Sequence, residues 1–482
     1  MDVKGRNNLL IFFVSAIYLS LIACFLPDEK YSILLIPFIL GVVFLPFLNI
    51  KYLFYLVVFL TPLSVSLSDL GLFILDTEMA FPTEPILFGF MILTIFQISN
   101  NTSLFKPILQ HPITFFMLIY LLWMFITCIT SSMPLVSFKI LLTRLWYILP
   151  IFFMGSIFFQ KKTEMSKFIL LYTTPLVCVV LYTVLRHSSY FFDKESAHYM
   201  MSPFFNDHTS YGGVIAFFLP FVFALFWLKK ENNIFRMLLL FFLLILIIGL
   251  ILSFTRAAWI SLFISMLFAL LLKLQINRKV LFCSPFLLIA FLFVLQSPII
   301  DLLQSNRQDS SDNLIEHVTS ISNISTDASN MERINRWKCA VKMFIEKPYF
   351  GWGPGTYQFQ YARFQLSKDR TIISSNSGDM GNAHSEYLGP LCESGFIGFL
   401  LFISLVLFTI IRSINMYYES SDNSKRIWLL AIIIALMSYF IHGLFNNFLD
   451  TDKASVAVWG SFAMLVALDL MSHKKQSHSL SI

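Results

Sequence analysis

Long apolar runs separated by short polar connections recur along most of the chain. They lie near 9–26, 31–48, 51–68, 84–98, 112–130, 138–158, 168–186, 211–228, 237–253, 256–272, 280–296, 395–411, 427–445 and 454–470. A helix of roughly 17–25 apolar residues is long enough to cross a bilayer. Backbone polar groups in lipid must be satisfied within the segment, so each run is expected to be helical. The pattern predicts an all-α, polytopic integral membrane protein with about 12–14 transmembrane helices.

The longest polar stretch separates the last three runs from the others. It predicts three regions: an N-terminal membrane domain at 1–296, a large loop at 297–394, and a C-terminal membrane domain at 395–482. The first region has about 11 of the expected spans and the last about three, with a polar tail. A long polar loop between membrane spans is the first place to look for the chemistry of a membrane enzyme.

Composition and charge support a lipid environment and indicate the topology. Only 13% of the residues are charged and 57% are hydrophobic, whereas soluble domains have roughly 25% charged residues. If the N-terminus is cytoplasmic, the inner connections hold 18 Lys and Arg residues and the short outer connections hold five. This asymmetry predicts that both termini are cytoplasmic and that the large loop lies outside. The net charge of +6 therefore reflects topology, and no nucleic-acid partner is expected.

Five cationic side chains on the expected outer side are candidates for anion binding. Arg144 lies inside the sixth expected span, Lys139 at its outer end, and Arg256 on a short turn between two spans. Arg333 and Arg336 are three residues apart on an expected helix of the loop and therefore share a face. Charged groups in apolar surroundings are costly and are functional candidates by default. Because the guanidinium fork matches phosphate oxygens, the set predicts a diphosphate site.

His384 is the candidate for proton transfer, because it lies where the loop meets the next membrane span. An unperturbed imidazole has a pKa near 6.5 and can act as a general base at about neutral pH. No His, Cys or Asp cluster has the spacing of a zinc site, and no glycine-rich phosphate loop is evident. We therefore expect neither a metal nor a cofactor. Asp450-Thr451-Asp452 is interpreted as a turn.

Three local patterns resemble those of the bacterial O-antigen ligase and O-antigen polymerase family. They are Thr255–Trp259, Arg333–Trp337 with Pro348–Gly355, and His384-Ser385 followed nine residues later by Gly395-x-x-Gly398. Together they extend over 254–398. The Thr residues that often follow the last glycine in that family are replaced here by Phe399-Leu400, which leaves ligase and polymerase both open.

The resemblance implies a membrane glycosyltransferase that uses a glycan linked to undecaprenyl diphosphate. The glycan is transferred to an acceptor hydroxyl on the periplasmic face of the bacterial inner membrane, without a metal or cofactor. By resemblance, Arg256, Arg333 and His384 are functional residues. Arg336, Arg144 and Lys139 are expected to help bind the diphosphate. Trp337, Tyr357 and Tyr361 are candidates for glycan or acceptor contact, although aromatic residues more often pack in a core.

Several alternatives remain open at this point. The leading hypothesis is a ligase whose acceptor is a lipid A-core sugar, and a polymerase of repeat units is its closest rival. An acceptor hydroxyl on a protein is a third option, and a transporter of lipid-linked glycans is an alternative of another class. The sequence also leaves open whether Cys339 and Cys392, both in the outer loop, form a disulfide.

Overall fold

A computed structural model describes residues 36–69, 79–229, 232–277, 331–367, 370, 374 and 381–480. The expected spans near 9–26 and 280–296 lie outside these residues. Within them, ten helices are long and apolar enough to cross a membrane, or eleven if one bent helix pair counts as a span. The prediction of a polytopic all-α protein is confirmed. The division at residues 296 and 394 stays a prediction.

Helices account for most of the described residues. Those before the loop are α1 (Ile36–Leu60), α2 (Thr83–Asn100), α3 (Thr102–Leu109), α4 (Pro112–Ile129), α5 (Pro134–Phe158), α6 (Lys162–Ser188), α7 (His208–Leu228), α8 (Asn233–Leu252) and α9 (Arg256–Lys273). The others are α10 (331–346), α11 (Tyr357–Gln360), α12 (Leu388–Glu419), α13 (Asn423–His442) and α14 (Asp452–Leu480). A short antiparallel pair, β1 (Val65–Ser66) and β2 (Ala80–Phe81), precedes α2. The chain forms two compact units, Met1–Val57 and Val58–Ile482, and every candidate residue belongs to the second.

Three of the sequence-based spans correspond to broken helices. The runs near 31–48 and 51–68 overlap the two parts of α1, which is broken where the backbone leaves the helical region at Asn49 (φ −168°, ψ 123°). Pro46 lies inside this helix, and proline removes a helical hydrogen bond. The run near 84–98 corresponds to α2, which meets α3 at a bend of 101°. The apolar run near 84–98 identifies α2 as a helix but does not reveal the bend at its end.

The helices that carry the candidate residues pack closely on one another. Helix α13 packs against α7 and α9, and α12 packs against α4. Small polar side chains lie in the α9–α13 contact, where the hydroxyls of Ser261 and Ser438 are 3.3 Å apart. Small residues allow helices in a membrane to approach closely when apolar burial alone gives no preference for helix over lipid.

The described part of the loop has its own apolar core. Its buried members are Cys339, Ala340, Met343, Trp352, Tyr357, Tyr361, Ala383 and Cys392. The indole N–H of Trp352 donates to the carbonyl oxygen of Met343 at 2.9 Å, so its polar atom is satisfied. Both cysteines of this core are free thiols.

The segment after α10 docks directly on the backbone at the start of α12. Trp352 and Gly353 donate their N–H groups to the carbonyl oxygens of Cys392 and Glu393 at 3.0 and 2.8 Å. Two glycines make this approach possible. A β-carbon on Gly351 would lie 2.4 Å from the Glu393 carbonyl group, and one on Gly395 would lie 2.1 Å from the Tyr349 carbonyl oxygen.

Both glycines also have a left-handed backbone, with φ of 69° at Gly351 and 70° at Gly395. Residues other than glycine rarely adopt this conformation. Gly395 is the point at which α12 changes direction. The two glycines therefore fix how the loop meets the membrane helix.

We predict that Gly395→Ala lowers the thermal unfolding midpoint of the detergent-solubilised protein. The methyl group adds a steric overlap to a strained backbone, a combined cost of about 1–3 kcal/mol or more. Gly89→Ala is the matched control, because its β-carbon meets no atom within 4 Å. Equal midpoints for the two variants, measured by tryptophan fluorescence, would contradict this account of the docking.

Candidate functional site

The backbone of His384 is held from both sides. Its N–H donates to the side-chain oxygen of Asn382 at 3.0 Å, and its carbonyl oxygen accepts the indole N–H of Trp337 at 3.3 Å. The Trp337 ring lies 6.1 Å from that of Phe445, at the end of α13. The residue itself is left-handed, with φ of 47°. Trp337, predicted to contact the glycan, therefore joins His384 to α10 and to the α13–α14 turn.

Burial and nearby cations keep the His384 ring neutral. Burial, followed by the charges of Arg336 and Arg333, lowers the pKa of His384 to about 4, while Asp207 and Glu332 oppose the shift. Two of the predicted arginines thus lie close enough to His384 to act on it electrostatically. Asp207 comes from the loop before α7 and was not predicted.

Arg336 and Arg333 have different environments. The Nε atom of Arg336 is 3.0 Å from the Glu332 carboxylate, and its Nη1 donates to the Asn382 carbonyl oxygen at 3.2 Å. The same guanidinium lies over the Tyr361 ring, 5.2 Å from its centre. Burial lowers the pKa of Arg333, and Asp207 opposes that shift. Arg336 is therefore largely occupied in holding the segment that leads to His384.

Arg256 begins α9 and is exposed. Its side chain has no hydrogen bond or ion pair to any of the residues that the structure describes. The preceding Thr255 donates its hydroxyl to the carbonyl oxygen of His208 at 2.8 Å, and His208 is close enough to Arg333 for their charges to interact. The N-terminus of α9 therefore adjoins the group around His384, although no direct contact between Arg256 and His384 is observed.

Arg144 and Lys139 are the other predicted cations. Arg144 forms an ion pair with Asp450, with its Nη2 atom 2.6 Å from the carboxylate. Arg144 lines a cavity of about 460 Å³, to which Ile140 also contributes. Lys139 is exposed and does not line the cavity. The structure does not bring these two residues into the group around His384.

The cavity is lined mainly by connections between the helices and is rich in carboxyl groups. Six acidic residues line it: Glu84, Asp207, Glu386, Glu393, Asp450 and Asp452. Its cationic residues are Arg144 and Lys453. Tyr357 also lines the cavity, whereas Tyr361 is fully buried and stacks on Tyr357 at 5.2 Å. Burial of Tyr361 favours a packing role over the predicted glycan contact.

His384 lies at the edge of this cavity. The residues on either side of it, Ala383 and Ser385, line the cavity, as do Asn382 and Glu386. The His384 ring itself is influenced by Arg333 and Arg336. The imidazole therefore occupies the boundary between a cationic group and an acidic cavity.

Glu386 ties the His384 segment to the α13–α14 turn. The N–H groups of Phe448 and Leu449 donate to its carboxylate at 2.6 and 2.9 Å, and the Tyr439 hydroxyl donates to it at 2.5 Å. The backbone N–H of Glu386 donates to the Gly443 carbonyl oxygen at 2.8 Å. Burial raises the pKa of Glu386. Sequence reasoning missed this residue, although it lies two positions after the histidine.

Asp450 and Asp452, interpreted from the sequence as turn residues, also bind side chains of other segments. Asp450 pairs with Arg144, and buried Asp452 accepts hydrogen bonds from the hydroxyls of Ser64 and Thr83, each at 2.5 Å. It thereby joins the start of α14 to the β1–β2 region. No group of three or more His, Cys, Asp or Glu side chains among the described residues is arranged to hold a metal ion.

Residues 241–403 match the model of the O-antigen ligase family. The chain carries an O-antigen ligase domain. The domain extends from α8 into α12 and includes Arg256, Arg333, Arg336 and His384, so the resemblance noted in the sequence is confirmed. Arg144 lies outside the matched segment. No curated protein matches the chain.

We predict that the His384 ring of this O-antigen ligase domain does not titrate near its ordinary pKa of 6.5. A lowered pKa keeps the ring neutral between about pH 5 and about pH 8, and protonation begins only toward pH 4. Histidine NMR, with His384→Gln to assign the signal, measures this. Arg336→Gln should raise the pKa, whereas Arg363→Gln, on an exposed part of the loop, should not. A midpoint near 6.5 in the unmodified protein would refute the described burial.

We also predict that Glu386→Ala is strongly destabilising and that Glu386→Gln is much less so. Alanine leaves the N–H groups of Phe448 and Leu449 without their acceptor, at a cost of roughly 1–3 kcal/mol for each buried group. Glutamine keeps an oxygen in place. Thermal unfolding in detergent measures the difference, with exposed Glu346→Ala as control. Equal stability of the alanine and glutamine variants would show that the carboxylate does not hold the turn.

Proposed function

We propose that this protein is a membrane glycosyltransferase that moves a glycan from undecaprenyl diphosphate to an acceptor hydroxyl. The observation that carries the proposal is the O-antigen ligase domain at 241–403, with its His384 beside two arginines. A family of this kind uses a lipid-linked glycan donor and a glycan acceptor. The all-helical membrane fold suits a donor whose lipid tail stays in the bilayer.

In the proposed step, the acceptor oxygen attacks the anomeric carbon of the donor sugar. The new bond joins that carbon to the acceptor oxygen, and the bond from the carbon to the diphosphate oxygen breaks. The hydroxyl proton passes to the neutral His384 ring, and undecaprenyl diphosphate leaves with the bonding electron pair. The unprotonated His384 ring has a nitrogen lone pair that can accept the proton, and its lowered pKa makes it a weaker base than an ordinary imidazole.

The diphosphate needs cationic groups close to the site of transfer. Arg256 is exposed and has no partner among the described residues, and Arg333 lies beside His384. We assign these two guanidinium groups to the leaving diphosphate, where they stabilise developing negative charge. Arg336 is paired with Glu332 and contributes through its position. Lys139 is exposed and does not line the cavity, so we assign it no contact with the diphosphate.

We place the reaction on the periplasmic face of the inner membrane, with both termini cytoplasmic. The distribution of Lys and Arg among the connections supports this orientation. The groups around His384 and the cavity come from connections on the expected outer side. The chemistry needs no metal, because the diphosphate is already a good leaving group once its charge is neutralised.

The acceptor we favour is a sugar of lipid A-core, which makes the protein a ligase. A repeat-unit polymerase is the second candidate, because the O-antigen ligase domain is compatible with either activity. A gene deletion separates them. Loss of a ligase leaves long glycan on the carrier lipid, whereas loss of a polymerase leaves single repeats on the cell surface.

We predict that His384→Ala and Arg256→Ala each lower glycan transfer by about 10²–10³-fold, the usual loss when a group that stabilises transition-state charge is removed. The assay uses purified protein with lipid-linked glycan and acceptor, and mass spectrometry of the product. Lys106→Ala is the control, because Lys106 is an exposed cation on α3 that does not line the cavity. Near-normal transfer by either variant would remove the role assigned to that residue.

A further inference from the structure

The cavity beside His384 has the size of a ligand site. Its volume of about 460 Å³ falls in the range of roughly 300–1,000 Å³ that is typical of small-molecule sites. It is formed by segments far apart in sequence, from Ser64 in the connection after α1 to Lys453 at the start of α14. The group proposed to bind the diphosphate does not line it, since Arg256 and Arg333 are both absent from its wall.

The charge of the cavity disfavours an anionic occupant. Its two cations face six carboxyl groups and are already engaged. Arg144 pairs with Asp450 at 2.6 Å, and the Lys453 ammonium donates to the Ser64 hydroxyl at 2.6 Å and lies 3.4 Å from Asp452. A diphosphate placed here would meet three times as many carboxyl groups as cations and would have to displace the existing partners of both cations.

The same wall suits a ligand with many hydroxyl groups. Carboxylates accept hydrogen bonds from hydroxyls, and the amides of Asn447 and Gln358 both donate and accept them. The Nε atom of Arg144 and the side-chain oxygen of Asn447 are buried without a hydrogen-bond partner among the described residues. Buried polar groups normally have partners. Neither atom is exposed on the cavity wall, so a ligand hydroxyl could pair with it only after the side chain turns toward the cavity.

We propose that this cavity binds uncharged or amino-bearing sugar residues, and that the diphosphate lies outside it, on the arginine side of His384. This inference rests on the proposed function in one respect, which is the choice of a sugar as the hydroxyl-bearing ligand. Sugars of the donor and sugars of the acceptor share the required chemistry. His384, at the cavity edge, then lies between the sugar-binding cavity and the group that binds the leaving diphosphate.

Transfer kinetics test the proposal when donor and acceptor concentrations are varied separately. Asn447→Ala and Gln358→Ala each remove about one hydrogen bond, so each should raise one KM by about 3- to 10-fold while kcat changes little. A raised acceptor KM identifies acceptor sugars as the occupant, and a raised donor KM identifies donor sugars. Gln360→Ala is the matched control, since Gln360 belongs to the same short helix and does not line the cavity. Unchanged KM values for both substrates would overturn the proposal.

Direct binding separates this inference from the proposed function. Saturation-transfer NMR is measured on the purified protein without donor, using glucose, galactose, N-acetylglucosamine and glucosamine, each compared with its 6-phosphate. We expect binding of at least one unphosphorylated sugar that is weakened in Asn447→Ala and unchanged in Gln360→Ala. Absence of any sugar binding, or preference for the phosphates, would refute the cavity assignment. Sugar binding by a protein that transfers no glycan would support the cavity and refute the proposed function.

Discussion

The buried carboxylate of Glu386 is the interaction on which the geometry of the site depends. It gathers two backbone N–H groups and a tyrosine hydroxyl from α13 and the turn before α14. Because Glu386 follows His384 by two residues, the histidine takes its place from these membrane helices rather than from the loop alone. A buried acceptor with three donors tolerates little displacement, since each lost partner leaves an unsatisfied polar group. The loop is thereby fixed at the end nearest the reaction.

Positive and negative side chains of the site lie in different places. Arg333 and Arg336 act on the His384 ring from α10, whereas the carboxyl groups collect in the adjoining cavity. Arg144, which looked like a partner for phosphate, is held on the acidic side by Asp450. The separation matters for the proposed function because a leaving diphosphate needs cations nearby, whereas sugar hydroxyls can donate hydrogen bonds to carboxylates. One imidazole at the boundary can serve both.

The sequence predicted the features that depend on local pattern. Apolar runs identified the membrane helices, and the position of His384 between the loop and the next run located the segment that leads into α12. The sequence did not reveal Asp207, Glu386 or Asp450, because a carboxylate in a turn looks the same whether it faces water or meets an arginine from another helix. Arg144 was correctly singled out as unusual, but its partner lies 306 positions away. Long-range pairing of this kind follows from packing, which a single sequence does not display.

The left-handed backbone at His384 has a consequence for how this position can vary. With φ of 47°, it favours glycine and short polar residues such as asparagine, while histidine is among the larger side chains that tolerate it. Alanine therefore removes the ring and also disturbs the peptide that Trp337 and Asn382 hold. Asparagine is compatible with this backbone conformation and removes the imidazole ring. A comparison of the two replacements therefore separates the effect of the backbone conformation at this position from the effect of the imidazole ring.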